Sequence, residues 1–312
     1  MSVKHFVVAL ALVAAFAVGR TPARAQTPAV VHVAALPTDN SGNVYFALDL
    51  GYFKSAGLDV QLETIGNGSA AATGLASGAI DVAQSVVSGT AAAHLRGIDL
   101  KLFAPSVNAT PRGETNAVVV PKDSPAKTAA DLNGKTFGIL TVKSIQQVMA
   151  MAWADKSGGD SKTLKFIEIP NSLAQSALAA HRSDADALQD PQLHDALASG
   201  QVKSIAEPYS AISTHFVFGV YFANKDWAMA HAQAVRDWTR ITYQAAAYAN
   251  THHAETAPIM AEATKVPLDV LEKLQRVEGA TSSDPALIQP FIDAAAKYKL
   301  ISNAFPAKDL FF

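Results

Sequence analysis

The sequence predicts an α/β fold of two domains joined by two hinge segments, and three observations carry that prediction. Gly51–Gln84 reads as helix end, strand, turn, helix and strand with almost no spare residues. The same alternation continues on both sides of it, which argues for parallel sheets with crossover helices. It then breaks at Pro121-Lys122-Asp123-Ser124-Pro125 and starts again, and 312 residues suffice for two domains of ordinary size.

Within the central run, Gly51 and Gly57 sit where a helix must stop, because glycine takes positive φ without a Cβ penalty. Leu58, Val60, Leu62 and Ile65 then form a largely apolar strand. Gly66-Asn67-Gly68-Ser69 is a turn with a good N-cap for an Ala-rich helix from Ala70 to Ser77, and Gly78 ends that helix before a strand at Ile80–Ala83. Upstream, Val30–Leu36 is an apolar run of strand length. It leads through Pro37-Thr38-Asp39-Asn40-Ser41-Gly42, rich in N-cap residues, into a helix carrying Val44, Tyr45, Ala47 and Leu48. Leu100–Ala104 and Thr115–Val120 are further strands.

After the break, Phe137–Leu140 is a strand and Ile145–Lys156 a helix that ends before Gly158-Gly159. Leu164–Ile169 is a strand, Asn171-Ser172 caps a helix to Ala180, and Ala185–Leu188 is a short strand before Asp190-Pro191. His215–Phe222, rich in aromatic and β-branched residues, reads as a returning strand. The chain is therefore expected to pass between domains near 114 to 121 and 215 to 222. That division makes 29–114 with 220–312 one discontinuous domain and 115–219 the other. After Asn224 the pattern is helical almost to the end, with Trp227, Val235, Trp238, Ile241 and Tyr248 on apolar faces.

Hydrophobic residues make up 49% of the chain, the content of packed cores rather than of disorder. Lys4, the apolar stretch Phe6–Val18 and the small-x-small site Ala23-Arg24-Ala25 spell a cleavable secretory signal, since that stretch is shorter than the roughly 20 residues a membrane span needs. Cleavage after Ala25 takes Lys4, Arg20 and Arg24 from the 25 basic residues and nothing from the 27 acidic ones, so the formal charge moves from −2 to −5. A mildly acidic secreted chain is a poor candidate for nucleic acid. The absence of cysteine excludes a Cys-linked lipid anchor, disulfides and thiol chemistry. The expectation is a mature chain from Gln26, free in a periplasm as a monomer and not inserted in the membrane.

The runs GYFKSAGLDVQL and GNGSAAATGLASGAIDVA, together with DLNGKTFGI at Asp131–Ile139, resemble the periplasmic substrate-binding proteins of ABC importers for nitrate, sulfonates and taurine, the SsuA/TauA or NMT1-like family. The resemblance covers nearly all of the chain after residue 28. It implies a type II periplasmic-binding-protein-like fold with the C-terminal helices packed back on the first domain. It also implies a small-molecule ligand, a cognate ABC permease with its ATPase as partners, and no cofactor.

In open parallel sheets, ligands bind outside the carboxyl ends of the strands, where loops are free and helix N-termini present unpaired N–H groups. That rule selects Thr38, Asn40, Ser41, Asn67, Ser69, Ser85 and Ser88 in the first domain, and Thr141, Lys143, Ser144, Asn171 and Asp190 in the second. Taken singly, each Ser, Thr or Asn is a helix cap worth about 1 kcal/mol. Taken together, they offer hydroxyls, amides and positive helix ends to an anion from both sides of a cleft. Lys143 is the lone basic residue among these loops, so the N-termini after Asn67, Ser85 and Thr141 are expected to supply most of the donors. Asp39 and Asp190 either suit an amine or hydroxyl on the ligand or simply cap turns, and Tyr45 is placed to close over a ligand. Trp153 reads as core. Neither His252-His253 with Glu255 nor the set His181, Asp184, Asp186 and His194 has the spacing of a metal site.

The expected function is non-enzymatic capture of a small organic anion, of the sulfonate, taurine, nitrate or carboxylate class, and its delivery to a permease. The chain contains no GxxxxGK[ST], no GxGxxG after a strand and no GxSxG. A rival enzymatic reading comes from the resemblance to pyrimidine synthases of thiamine biosynthesis, whose iron site is rich in cysteine, which this chain lacks. Two further readings stay open: a binding protein for thiamine precursors, and a periplasmic subunit that reports to a sensor kinase.

Overall fold

The computed structural model describes residues 29–65, 68–111 and 115–312. Residues 1–25, read from the sequence as a secretory signal, and Asn67, read as part of a turn, lie outside the described residues. Alternation of apolar strands with short helices yields two separate sheets. The first contains β1 (Ala29–Ala35), β2 (Leu58–Thr64), β3 (Val82–Val86), β4 (Leu100–Ala109), β10 (Phe216–Asn224) and β11 (Glu278–Gly279), in the order β11-β4-β10-β3-β1-β2. The second contains β5 (Asn116–Pro121), β6 (Thr136–Ile139), β7 (Lys165–Glu168), β8 (Ala185–Gln189) and β9 (Val202–Ala206), in the order β7-β6-β8-β5-β9.

Both sheets are mixed, where the alternation argued for parallel ones. β1 runs parallel to β2 and β3, but β10 is antiparallel to β3 and β4. In the second sheet β6 runs parallel to β7 and β8, while β5 is antiparallel to β8 and β9. The cause is the way the chain changes sheets. Among the described residues no α-helix separates β4 from β5, and only the 3-10 turn Tyr209–Ala211 separates β9 from β10, so each entering strand runs against its new neighbours.

The chain therefore changes sheets between β4 and β5 and again between β9 and β10. These passages adjoin the segments near 114 to 121 and 215 to 222 expected from the sequence, in which β5 and β10 are interior strands of their sheets. All eight residues Phe216–Ala223 of β10 are buried. A strand covered on both faces carries the same apolar run as a hydrophobic connector, and only its pairing tells the two apart.

Helices Gly42–Asp49, Gly68–Ser77 and Val87–Leu95 follow β1, β2 and β3, and helices Ile145–Lys156, Asn171–Ala179 and Gln192–Ala198 follow β6, β7 and β8. The long helix Ala232–Ala249 buries Val235, Trp238, Ile241, Ala245 and Ala249 against the first sheet. There Trp238 meets Phe53 at 4.7 Å and Tyr221 at 5.5 Å between ring centroids. Truncating this residue to Ala would cost about 3–5 kcal/mol. Trp153 is buried in the core, as its position two turns into a helix suggests. The C-terminal region is not helical throughout: β11 pairs with β4 at the sheet edge, and its Gly279 exchanges hydrogen bonds with the Asn250 side chain at 2.8 and 2.9 Å.

Candidate functional site

The loop after β1, the loop after β8 and the start of β5 converge on one cavity of about 210 Å³ between the two sheets. Residues from the C-terminal region complete it, with Met260, Leu271 and Leu274 as an apolar floor and Arg276 beside them. Ligands of α/β sheets bind outside strand carboxyl ends, and β1 and β8 bring theirs to this cavity from opposite sides.

The first wall is held by a buried polar network. Ser41 is fully buried, so its hydroxyl must find a partner, and it donates to Gln84 Oε1 at 2.8 Å. Gln84 Nε2 lies 3.3 Å from both the Asn40 carbonyl and Ser106 Oγ, and Asn43 Nδ2 donates to the Ser106 carbonyl at 2.8 Å. The loop 38–41 is thereby tied to β3 and β4. Gly219 on β10 leaves room for the network, since a Cβ there would come within 2.4 Å of Val107 Cγ1 and 2.6 Å of Ser106 Oγ. At the cavity itself, Asp39 Oδ1 accepts from Arg276 Nε at 2.8 Å and from Arg276 Nη2, and Asp39 Oδ2 accepts from the Val277 N–H at 3.0 Å. The Arg276 guanidinium also lies over the Phe46 ring, 5.8 Å from its centroid.

The second wall carries an acid with no such counterion. Asp190 Oδ1 accepts from the His194 N–H at 3.1 Å, and the Asp190 N–H donates to the Thr115 carbonyl at 3.0 Å. Among the described residues it forms no ion pair. Burial pushes its carboxyl up to about 6; the His194 N–H and imidazole hold it back, while Asp39 across the cavity adds to the rise. Beside it, Asn116 is 3% exposed and its Oδ1 has no partner.

Of the residues selected from the sequence, Thr38, Asn40 and Asp190 line this cavity, as does Asp39. Ser41 sits beneath the loop as a structural group. Tyr45 does not line the cavity; its hydroxyl is half-buried, 3.5 Å from the Leu36 carbonyl, and burial raises its pKa. Ser85 is buried on β3 and Ser88 is part-buried in the following helix, and neither lines the cavity. Ser69 falls in the helix Gly68–Ser77. Thr141, Lys143, Ser144 and Asn171 lie at the ends of β6 and β7, outside the cavity wall.

Three backbone donors of the loop after β6 are engaged by neighbouring side chains. The Leu140 N–H donates to Gln146 Oε1 at 2.8 Å, the Val142 N–H to Glu168 Oε1 at 2.8 Å and the Lys143 N–H to Gln147 Oε1 at 2.6 Å. Ser144 Oγ, in contrast, is buried without a partner. Sequence reasoning missed Arg276 and Asn116. Arg276 meets Asp39 across a separation of 237 residues, which no local spacing reveals. Asn116 was read only as part of a strand.

Among the described residues no group of three His, Asp or Glu side chains is placed to hold a metal. His252 stacks on Tyr248 at 4.0 Å, and Glu255 accepts from the Tyr248 hydroxyl. Asp184 is engaged by Lys135 at 3.8 Å and by the Thr136 N–H at 2.8 Å, and Asp186 by the Ser183 hydroxyl at 2.6 Å. No helix of the described residues is long and apolar enough to cross a membrane.

The profile of the NMT1/THI5-like family matches residues 38–256, well over half of the chain. The chain belongs to this family. Solved structures give the NMT1/THI5-like chain its fold relatives. The periplasmic aliphatic sulphonate-binding protein SsuA of Escherichia coli superposes with a TM-score of 0.77 at 17% identity, covering 91% of this chain and 97% of that one. The alkanesulfonate-binding protein SsuA of Xanthomonas axonopodis pv. citri, bound to MOPS, gives 0.73 at 19% identity over 91% and 98%. The periplasmic nitrate-binding protein NrtA of Synechocystis PCC 6803 gives 0.64 at 14% identity over 77% and 68%. No curated protein matches the sequence. The family is the one that Gly51–Gln84 and Asp131–Ile139 resemble, and the periplasmic-binding-protein-like fold of two α/β domains is the one expected.

Proposed function

We propose that this chain is a periplasmic solute-binding protein: it captures a small organic solute bearing an anionic group between its two α/β domains and delivers it to an ABC permease driven by a separate ATPase. The observation that carries this reading is the cavity between the sheets, walled by the β1 loop on one side and by the β8 loop and the start of β5 on the other. A solute held there touches both domains, and closure about the two passages between the sheets would enclose it. The names of the structural relatives, which bind sulfonates and nitrate, support the solute class. Residues 1–25 serve as the leader that directs export and is then removed. The chain performs no chemistry on its cargo.

A thermal-shift panel of alkyl and aryl sulfonates, taurine, nitrate and aromatic carboxylates tests the reading. A true ligand at about 100 times its Kd stabilises the native state by about 2.7 kcal/mol, well within detection. A panel without a single shift contradicts the solute class.

A further inference from the structure

We infer, building on the solute-binding reading above, that the solute carries a protonated hydrogen-bond donor, in the simplest case an ammonium group, in addition to its anionic group. The two walls then read opposite ends of it: Asp190 and Asn116 take the donor, and Arg276 takes the anion.

Three unmet groups around one cavity point to this. Asp190 has one oxygen on the His194 N–H and no counterion among the described residues. The charged and titratable groups around it are the His194 imidazole and Asp195 on its own loop and helix, and Asp39 from the opposite wall, whose charge Arg276 already answers. Asn116 stands next to it: β5 pairs Asn116 with Gln189, and the Asp190 N–H bonds to the Thr115 carbonyl at 3.0 Å. Its Oδ1 is an acceptor without a donor, while its Nδ2 has only Thr115 Oγ1 at 3.4 Å. Across the cavity Arg276, 8% exposed, has the reverse deficit, since Nε and Nη2 serve Asp39 and Nη1 has no partner.

Buried polar groups left unmatched destabilise the state that buries them, so closure without ligand is disfavoured at both walls. A simple anion would answer Arg276 and leave Asp190 facing a like charge. An amphoteric solute answers both, and only when the walls approach each other, so that donor and anion recognition together become the signal for closure.

Isothermal calorimetry on the mature chain near neutral pH, with solutes paired for presence and absence of an amine, tests the inference: 2-aminoethanesulfonate against ethanesulfonate, 4-aminobutyrate against butyrate, and 4-(aminomethyl)benzoate against 4-methylbenzoate. In whichever pair fits the cavity, the amine member is expected to bind at least about tenfold more tightly, the worth of one charge-assisted hydrogen bond. Asp190→Asn, nearly isosteric, is expected to erase that advantage while leaving the thermal melt of the free protein in place. His194→Gln is expected to preserve it. Equal or tighter binding of an amine-free member, or an advantage that survives Asp190→Asn, overturns the inference and leaves solute capture standing. Failure of every solute, here and in the thermal-shift panel, overturns both.

Discussion

The two walls of the cleft are built in opposite ways. On the first, Ser41 and the Asn40 carbonyl are tied to Gln84 and Asp39 to Arg276 and Val277, with Arg276 Nη1 left as a donor without a partner among the described residues. On the second, among the described residues, Asp190 keeps a carboxylate with no ion-pair partner and Asn116 an acceptor with no donor. Self-satisfaction rigidifies the first wall into a template formed before any ligand arrives. The second stores an electrostatic deficit that a proton or a ligand must answer. Rigidity on one side and deficit on the other suit a device that waits open and closes on its cargo.

The largest expected effect separates the walls by stability. Arg276→Leu removes the partner of Asp39 and leaves that carboxylate with the Val277 N–H alone, so unfolding in urea should become easier by about 3 kcal/mol. Asp190→Asn removes a charge that has no counterion among the described residues, and should leave stability unchanged within about 0.5 kcal/mol or raise it. Equal losses at the two sites would break the contrast between the walls.

A smaller effect concerns acid. Burial holds the Asp190 carboxyl at about 6 and that of Asp186 at about 7, both above the ordinary 3.8 of the unfolded chain. Between those values the folded protein keeps protons that the unfolded chain has released, so unfolding is opposed increasingly as pH falls from about 8 towards 5. The melting temperature of the ligand-free protein should therefore rise by a few degrees over that interval. Asp186→Asn should flatten most of the rise, because Asp186 is 2% exposed and has the larger shift. A melting temperature that falls steadily with acid would contradict burial as the cause.

The smallest effect is on the loop after β6. Lys143 is exposed and outside the cavity, so Lys143→Ala should alter the affinity of the best panel ligand by no more than about twofold in calorimetry. A large loss would show that the second wall extends to β6 and carries its own cation.

What was legible in the sequence follows from the range of the forces involved. Glycine stops, N-caps and apolar strand runs act over a few residues, so Leu58–Thr64, Val82–Val86, Ile145–Lys156 and Ala185–Gln189 emerge close to their expected bounds. The loops after β1 and β8 followed from the rule of strand carboxyl ends, and Thr38, Asn40 and Asp190 stand in the cavity. Direction within a sheet was not legible, because β5 and β10 have the same apolar runs in either orientation. Short β9 lacked a strong enough pattern, and two-residue β11 exists only by pairing with β4. The Asp39–Arg276 pair depends on the C-terminal region folding back, a tertiary event without a local signature. For the loop after β6, the sequence showed a polar turn but not that Gln146, Glu168 and Gln147 would accept from its Leu140, Val142 and Lys143 N–H groups.

Capture between two closing domains is tested most directly by small-angle scattering on the protein with and without a saturating panel ligand. The radius of gyration should fall on saturation, and fall less for Asp190→Asn at the same ligand concentration. A radius that stays constant while calorimetry confirms full occupancy would place the solute within one domain and contradict the cleft as its site.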